Sequence, residues 1–199
     1  MPRAVVFDLG GVLIHWDPRL LYRKLLPSEE AVERFLANVC TPDWNLRFDA
    51  GRPLAEGIAE QVERFPHHEP LIRAWQERFP EMLLPMHGSL ALLEELSARG
   101  TKLYALSNWA AETFAHTRPR FPFLERFDGL VISGQIGLAK PDPRIFVHLL
   151  ETHRLEPGDL LFVDDKDYNV AAARSVGIDG AVFESATALR AELVRRGLL

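Results

Sequence analysis

A set of charged and polar side chains follows the short apolar runs of this sequence, each near the point where a run ends. Asp8 ends the run AVVF, and an acidic pair ends the run DLLFV. Carboxylates brought together repel one another and raise each other's pKa values unless a cation neutralises them. Mg²⁺ takes oxygen ligands of this kind, and an ammonium group offsets the remaining negative charge. The residues that predict such a site are Asp8, Ser107, Asn108, Lys140, Asp164 and Asp165.

The types of these residues predict phosphoryl transfer to an aspartate. Asp8 supplies a nucleophilic carboxylate, while Ser107 and Asn108, with nearby backbone N–H groups, supply donors for anionic oxygens. Mg²⁺ held by Asp8, by Asp165 and by the main-chain carbonyl of Gly10 would stabilise the charge on the transferred group. We therefore expect the catalytic and the metal-binding residues to share one site.

The apolar runs have the length and composition of buried strands. They show little alternation, as expected for a parallel sheet that helices cover on both faces. The five runs span residues 4–7, 102–107, 129–133, 159–163 and, more weakly, 180–183. Helical patterns cover residues 89–100, 142–155 and 169–178. This rhythm predicts a doubly wound α/β fold with a mostly parallel sheet, whose strand ends bring the candidate residues to one edge.

The interval between the first two strand patterns is far longer than a connection within such a fold needs. Prolines divide it into segments with the periodicity of amphipathic helices, which are RLLYRKLL, EEAVERFLANV, LAEGIAEQVERF and EPLIRAWQERF. We therefore predict a core domain formed by residues 1–14 and 88–199, with a helical domain inserted at residues 15–87.

Composition and charge narrow the classes of function. Hydrophobic residues make up 47% of the 199 residues, and a net charge of −5 leaves no basic surface for nucleic acid. No run approaches the roughly 20 apolar residues of a membrane span, and no secretory leader is visible. Cys40 is the sole cysteine, which fits a reducing compartment. The sequence thus predicts a cytoplasmic protein with a small-molecule substrate and leaves its oligomeric state open.

Four segments of the sequence are VVFDLGGVL, LYALSNW, GLAKPDPRIF and LLFVDDKDYN. In this order, they resemble the four motifs of the haloacid dehalogenase-like hydrolases. The helical insertion is similar in position to the C1 cap of that superfamily, so the resemblance spans nearly the whole chain. The pattern Asp-Asp-x-x-x-Asn looks most like the branch of the sugar-phosphate phosphatases and the epoxide hydrolase phosphatase domains. The resemblance implies a Mg²⁺-dependent phosphatase of a small phosphorylated metabolite.

The resemblance also implies a role for each matched residue. Asp8 corresponds to the nucleophile that forms an aspartyl-phosphate, and Asp165 corresponds to the acidic metal ligand of the fourth motif. Asp164 and Asn169 would then hold the metal ligands or waters from behind. The hydroxyl residue of the second motif corresponds to Ser107, with Asn108 beside it. The lysine of the third motif corresponds to Lys140.

Gly10 is where this sequence departs from the family pattern. Phosphatases of the family usually carry an aspartate there, which protonates the leaving oxygen and then activates water. A general acid contributes about 10²–10⁴-fold and matters least for acidic leaving groups, so Gly10 favours a substrate with a good leaving group, such as a sugar phosphate cleaved at its anomeric oxygen. The alternatives are a metal-independent 2-haloacid dehalogenase and a catalytically weak phosphometabolite-binding protein. The acidic pair argues against the dehalogenase because it adds negative charge beside a carboxylate substrate.

The insertion offers candidates for the missing proton transfer and for substrate contacts. His15, at its start, is a candidate for that proton transfer because histidine commonly serves as a general acid or base. The loop segment 43–54, marked by a Gly-Pro turn, contains Trp44, which can stack on a sugar, and Arg47, which can hold a phosphate. Packing between helices and a surface ion pair explain the same residues without a substrate. The sequence leaves both interpretations open.

Overall fold

The structure, a computed structural model, describes residues 2–199, which form a five-stranded sheet, a two-stranded sheet and surrounding helices. The strands are β1 (Ala4–Phe7), β2 (Ile14–Trp16), β3 (Leu83–Pro85), β4 (Lys102–Ser107), β5 (Gly129–Ile132), β6 (Leu160–Asp164) and β7 (Asp179–Val182). The helices are α1 (Arg19–Tyr22), α2 (Glu29–Asn38), α3 (Pro42–Asp49), α4 (Leu54–Arg64), α5 (Glu69–Glu77), α6 (His87–Ala98), α7 (Ala111–Thr117), α8 (Ser133–Ile136), α9 (Pro143–His153), α10 (Asp167–Ser175) and α11 (Ala186–Arg195).

The large sheet has the strand order β5-β4-β1-β6-β7, and all its pairs are parallel. The chain adds β4 and β5 on one side of β1 and then returns to add β6 and β7 on the other. Ligands of such sheets bind at the carboxyl ends of the strands where this order reverses, which here is the end of β1. The predicted α/β fold is confirmed, and each of the five strands lies within one residue of its predicted bounds.

Helices cover both faces of this sheet, which explains why the strands lack alternation. On β1, Val5 and Phe7 pack in one hydrophobic cluster with residues of α6 and α11, whereas Val6 packs in the other with residues of α9 and α10. Successive strand residues point to opposite faces, so both faces need apolar side chains. Full burial of each such side chain contributes about 1.5–3 kcal/mol.

The helix that follows the lysine loop begins as the sequence predicts. The Asp142 carboxylate accepts the Arg144 N–H at 2.9 Å, and Pro143 occupies the first helical position of α9. A proline costs nothing there because that N–H has no partner within the helix. This N-terminus sets where the preceding loop, with Lys140, meets the sheet.

Residues 17–82, here called the helical segment, contain α1 to α5 between the strands β2 and β3. Trp75 lies at the centre of their packing, with its ring centroid 5.3 Å from that of Trp44 and 6.3 Å from that of Tyr22. Helix α1 ends at Tyr22, earlier than the periodicity of residues 19–26 predicts, and tight turns lead from there to Pro27. Leu26 precedes Pro27 and therefore disfavours the helical conformation, so no helix could continue beyond this residue.

Two features of this part of the chain were not predicted. Strands β2 and β3 pair antiparallel at the two ends of the helical segment. Residues expected to form a loop form helix α3 instead, because Thr41 caps its N-terminus by accepting the Trp44 N–H at 3.1 Å and Pro42 follows at the first helical position. Among residues 2–199, no helix has the length and apolar character needed to cross a bilayer.

Candidate active site

The candidate residues meet at the carboxyl edge of the large sheet. Asp8 directly follows β1, Ser107 ends β4, Asp164 ends β6, and Lys140 lies in the loop before α9. All four are less than a tenth exposed. Parallel pairing of β1 with β4 and β6 brings these strand ends side by side, as the sequence predicts.

Lys140 joins two of the carboxylates in the interior. Its Nζ lies 2.9 Å from Asp8 Oδ1 and 2.6 Å from Asp164 Oδ2. Its side chain is 1% exposed, so the ammonium has exchanged its water for these two partners. A buried charge is tolerated when it is paired and hydrogen-bonded in this way.

The pKa values of this cluster follow from burial and from the three charges. Burial, with a smaller contribution from the charge of Asp164, raises the pKa of Asp8 to about 6, and the Lys140 ammonium opposes this rise. Burial alone would lower the pKa of Lys140, but the charges of Asp8 and Asp164 outweigh it and raise that pKa. Near neutral pH, Lys140 is therefore charged and Asp8 is largely ionised.

Asn108 holds the loop that carries the lysine. Its Oδ1 accepts the Lys140 backbone N–H at 2.8 Å, and its Nδ2 donates to the Lys140 carbonyl oxygen at 2.9 Å. This pair of hydrogen bonds ties the end of β4 to the loop before α9. The sequence predicts that Asn108 donates to anionic oxygens. The structure shows that its side chain also holds the backbone of Lys140 in place.

The two aspartates of the acidic pair have different surroundings. Asp164 is fully buried and accepts from Asn169 Nδ2 at 3.0 and 3.1 Å and from the Lys166 backbone N–H at 2.8 Å. Asp165 instead lines the cavity above Asp8, where its Oδ2 lies 2.8 Å from Lys166 Nζ. Asp164 is therefore occupied in holding Lys140 and Asn169, while Asp165 faces the space that a ligand would fill.

The donor set at this edge fits Mg²⁺. Carboxylate oxygens of Asp8, Asp164 and Asp165 lie within 4.8 Å of one another. The Oδ1 of Asn169, a residue that lines the same cavity, is buried and has no hydrogen-bond donor among the described residues. Hard divalent cations prefer oxygen ligands, and water bound to such a cation would satisfy an acceptor left in this state.

The two glycines after Asp8 differ in the room they leave. Gly11 has φ +74°, and a Cβ there would lie 2.6 Å from Asp165 Oδ2, whereas a Cβ on Gly10 would meet nothing within 4 Å.

We expect Gly11→Ala to destabilise the protein by about 1–2 kcal/mol because of its left-handed backbone. It should also weaken Mg²⁺ binding by displacing Asp165. Gly10→Ala, the matched control, should change both quantities far less, as urea unfolding and Mg²⁺ titration would measure. Equal losses would contradict this account.

A cavity of about 310 Å³ covers Asp8 and includes residues of the helical segment. From that segment, the side chains of Asn45, Asp49 and Phe79 line it. An apolar wall continues from the neighbouring elements, formed by Ile14, Trp16, Leu83 and Trp109. The charged sheet edge and this wall together suit a ligand with one anionic end.

The candidate contacts of the insertion are placed differently from the sequence hypotheses. His15 is exposed and lines a neighbouring cavity, not the one above Asp8, which contradicts a position over the nucleophile. Trp44 is buried against Phe48 with ring centroids 4.7 Å apart, so it cannot stack on a sugar. Arg47 is exposed and does not line the cavity.

Sequence reasoning included Asn45 and Asp49 in the candidate segment 43–54 but gave neither residue a role, although a signal for them was present. Once α3 is recognised from Thr41 and Pro42, Trp44 and Phe48 form its buried face at a spacing of four. Asn45 and Asp49 have the same spacing one position later. Residues four apart share a helix face, so these two polar residues had to point in one direction together.

Comparisons with known proteins agree with this geometry. A sesquiterpene phosphatase of Aspergillus oryzae is 28% identical over 181 residues, which cover 89% of this chain and 88% of that protein. A phosphorylated carbohydrates phosphatase of Thermotoga maritima is 30% identical over 186 residues, covering 88% and 82% of the two chains. A solved structure of a family enzyme from Bacteroides thetaiotaomicron, in complex with magnesium and inorganic phosphate, has a TM-score of 0.72 and 24% identity, covering 92% and 95%.

A protein-family model described as haloacid dehalogenase-like hydrolase matches residues 2–177. The match begins before β1 and extends beyond α10, so it includes both the large sheet's central strands and the helical segment. Since every strand end that supplies a residue to the site lies within this span, the chain belongs to the haloacid dehalogenase-like hydrolases.

Proposed function

We propose that this protein is a Mg²⁺-dependent phosphatase that hydrolyses a small phosphorylated metabolite through an aspartyl-phosphate on Asp8. The observation that carries the proposal is the cluster of three carboxylates within 4.8 Å of one another, with a buried ammonium beneath it. The two curated relatives described above are named as phosphatases, which supports the same reaction class.

The proposed Mg²⁺ ligands are Asp8, Asp165 and the main-chain carbonyl of Gly10. Bound there, Mg²⁺ supplies positive charge that stabilises the oxygens of the transferred phosphoryl group. Asp164 and Asn169 hold the arrangement from behind through their mutual hydrogen bonds. The charge of the ion would also lower the pKa of Asp8 toward its ordinary value, because opposite charge favours the carboxylate.

The chain's own residues perform the proposed displacement. A carboxylate oxygen of Asp8 attacks phosphorus as the bond from phosphorus to the leaving oxygen breaks, and water then cleaves the aspartyl-phosphate to release phosphate. The Lys140 ammonium, 2.9 Å from Asp8 Oδ1, and the Ser107 hydroxyl both act to lower the pKa of Asp8, which favours the attacking carboxylate. Donors that are already in position stabilise developing charge without reorganisation.

The same proposal treats residues 15–87 as a cap over the core formed by residues 1–14 and 88–199. The cavity residues supplied by the helical segment support this division, since they complete a chamber that the core edge alone leaves open. A closed chamber excludes water from the nucleophile and selects the substrate. The cap would therefore set substrate specificity, while the core would perform the chemistry.

Removal of divalent cations tests the proposed function. We expect the wild-type protein to release phosphate from p-nitrophenyl phosphate, acetyl phosphate or a sugar 1-phosphate in Mg²⁺. The rate should fall by about 10²-fold or more in excess chelator and return with added Mg²⁺, because an uncompensated carboxylate cluster repels the anionic substrate. Phosphate release would be measured across this panel.

Two results would overturn the proposal. Chloride release from 2-chloropropionate in chelator, with no phosphate release in Mg²⁺, would assign the protein to the dehalogenases. Tight binding of phosphorylated compounds without turnover of any panel member would assign it to the binding proteins.

A further inference from the structure

Among the described residues that line the cavity above Asp8, one carboxylate comes from the helical segment. Asp49 is the last residue of α3, and it lines the same cavity as Asp8. The position that usually carries a second acid, Gly10, has no side chain and is open to the same cavity. The helical segment therefore supplies a carboxyl group to the cavity, in addition to those of Asp8 and Asp165 from the core.

The placement of this carboxyl group is well determined by its own helix. Trp44 and Phe48 bury one face of α3 in the helical segment, which turns the face with Asn45 and Asp49 toward the cavity. Asn45 Nδ2 donates to Asp49 Oδ2 at 3.0 Å. Since Asn45 lies one turn before Asp49, it orients the carboxyl group without crossing the cavity.

Contacts with the core hold the end of α3 in place. Gly51 has φ +96°, and a Cβ on it would lie only 3.0 Å from the Gly137 Cα, so the two backbones touch. Three residues further on, the Leu54 N–H donates to Glu112 Oε1 of α7 at 3.0 Å. The turn that follows Asp49 is thus attached to the core at two points, in the arrangement that encloses the cavity.

The surroundings of Asp49 favour its protonated form. Burial raises the pKa of Asp49 to about 7, the Ala110 backbone N–H opposes this, and the charge of Asp8 adds to it. Asp8, by contrast, is paired with the Lys140 ammonium at 2.9 Å, which favours its carboxylate form. A carboxyl group that holds its proton and one that is paired with a cation are suited to different roles, the first as acid and the second as nucleophile.

We propose that Asp49 is the general acid and base of this enzyme, supplied by the cap in place of the side chain absent at Gly10. This inference rests on the proposed phosphatase function. In the first step, a carboxylate oxygen of Asp8 forms a bond to phosphorus while the bond between phosphorus and the leaving oxygen breaks. The Asp49 carboxyl gives its proton to that leaving oxygen. In the second step, the Asp49 carboxylate takes a proton from the water that attacks the aspartyl-phosphate, which restores the acid and releases phosphate and Asp8.

This role changes the substrate range expected from Gly10. Without an acid, only phosphates with good leaving groups react well, whereas an acid in the cap also permits ordinary alkyl phosphates. The acid is in position only while α3 covers the site.

The dependence of kcat/KM on the leaving group tests the proposal. The value of kcat/KM reports only the steps up to the first irreversible one, which here is the release of the alcohol, and this is the step that Asp49 would assist. We expect Asp49→Asn to lower kcat/KM for alkyl phosphates by about 10²–10⁴-fold, and for p-nitrophenyl phosphate by less than about 10-fold. Asp43→Asn, an exposed aspartate of the same helix, is the matched control and should leave both values unchanged. An equal loss for all leaving groups, or no loss, would overturn the proposal.

The pH profile provides a second readout. Because the protonated form of Asp49 is the active acid, kcat/KM for an alkyl phosphate should fall above about pH 7, and this fall should disappear in Asp49→Asn. Asp8 acts in the opposite direction, since it must be ionised. The titratable groups that line the cavity with Asp49 are Asp8, Lys140, Asp165, Lys166 and Tyr168. A fall in kcat/KM that persists unchanged in Asp49→Asn would assign it to another of these groups and overturn the proposal.

A rescue experiment separates chemistry from structure. Gly10→Asp places a carboxyl group on the core side of the cavity, where its Cβ meets nothing within 4 Å. In the Asp49→Asn background, we expect Gly10→Asp to raise kcat/KM for alkyl phosphates at least 10-fold above that of Asp49→Asn alone. If kcat/KM does not rise, the result would count against a general-acid role for Asp49. Wild-type activity on p-nitrophenyl phosphate in Mg²⁺ tests the phosphatase itself, so failure of that activity is distinguishable from failure of the role of Asp49.

Discussion

Asp8→Asn is expected to lower phosphate release from p-nitrophenyl phosphate by at least about 10⁴-fold, since loss of a nucleophile in a concerted site removes most of its rate enhancement. The amide cannot attack phosphorus, and it also removes a negative charge from the proposed Mg²⁺ site. Acid-quenched wild-type protein should carry covalently bound phosphate during turnover, and Asp8→Asn should carry none. Both would be measured in Mg²⁺ with the intact chain.

The substitution should leave the fold intact, which makes the result interpretable. Lys140 keeps Asp164 as a partner at 2.6 Å, so its buried ammonium stays neutralised. Asp167→Asn is the matched control, because this exposed aspartate lies two residues after Asp165 and does not line the cavity. Retention of more than about a hundredth of the wild-type rate in Asp8→Asn would assign the nucleophile to another group.

Lys140→Met is expected to lower the free energy of unfolding by about 3–5 kcal/mol, because it leaves buried carboxylates without their counter-charge. Lys102→Met is the matched control, since Lys102 also lies 2.6 Å from an aspartate, Asp128, but with its side chain 66% exposed. Solvent screens that pair, and its loss should cost about 1 kcal/mol or less. Urea unfolding of both variants without Mg²⁺ would measure the difference, and equal losses would show that burial of the pair is not decisive.

The loss in Lys140→Met should also depend on pH. The pKa of Asp8 is already about 6, above the 3.8 of an ordinary aspartate, and Lys140 lowers it, so removal of Lys140 raises it further. A carboxyl group with a raised pKa binds its proton more tightly in the folded state, and stability falls as pH rises through that pKa. The deficit of Lys140→Met should therefore be smaller at pH 5 than at pH 8. A deficit that does not change between these pH values would contradict a charge-based cause.

The network around the lysine explains why an acidic pair is useful here. Asp164 is fully buried and shares its oxygens among Lys140, Asn169 and the Lys166 backbone, whereas Asp165 faces the cavity. One carboxylate therefore sets the position of the Lys140 ammonium, and its neighbour, paired only with the exposed Lys166, is placed to meet a ligand. Adjacent residues at a strand end point in opposite directions, which allows two such different roles side by side.

The limits of sequence-based prediction are clearest in α3. The buried pattern of Trp44 and Phe48 was visible, and the cap formed by Thr41 and Pro42 was a usable helix signal, yet the glycine and proline further on favoured a loop. Even a correct helix assignment would not have directed Asp49 toward Asp8. The two are 41 positions apart in the chain, and their approach depends on how the helical segment docks, through contacts such as Gly51 against Gly137.

The five-stranded α/β core, and the edge where Asp8, Ser107, Lys140 and the acidic pair meet, could be predicted from the amino-acid sequence. These predictions succeeded because strand length and apolar composition are local properties and because parallel strands end at one edge. The groups that face the cavity from the helical segment could not be predicted, since His15 and Trp44 lie outside that cavity and Asp49 lines it. Side-chain direction across a domain contact depends on helix rotation and docking, which no short-range pattern encodes.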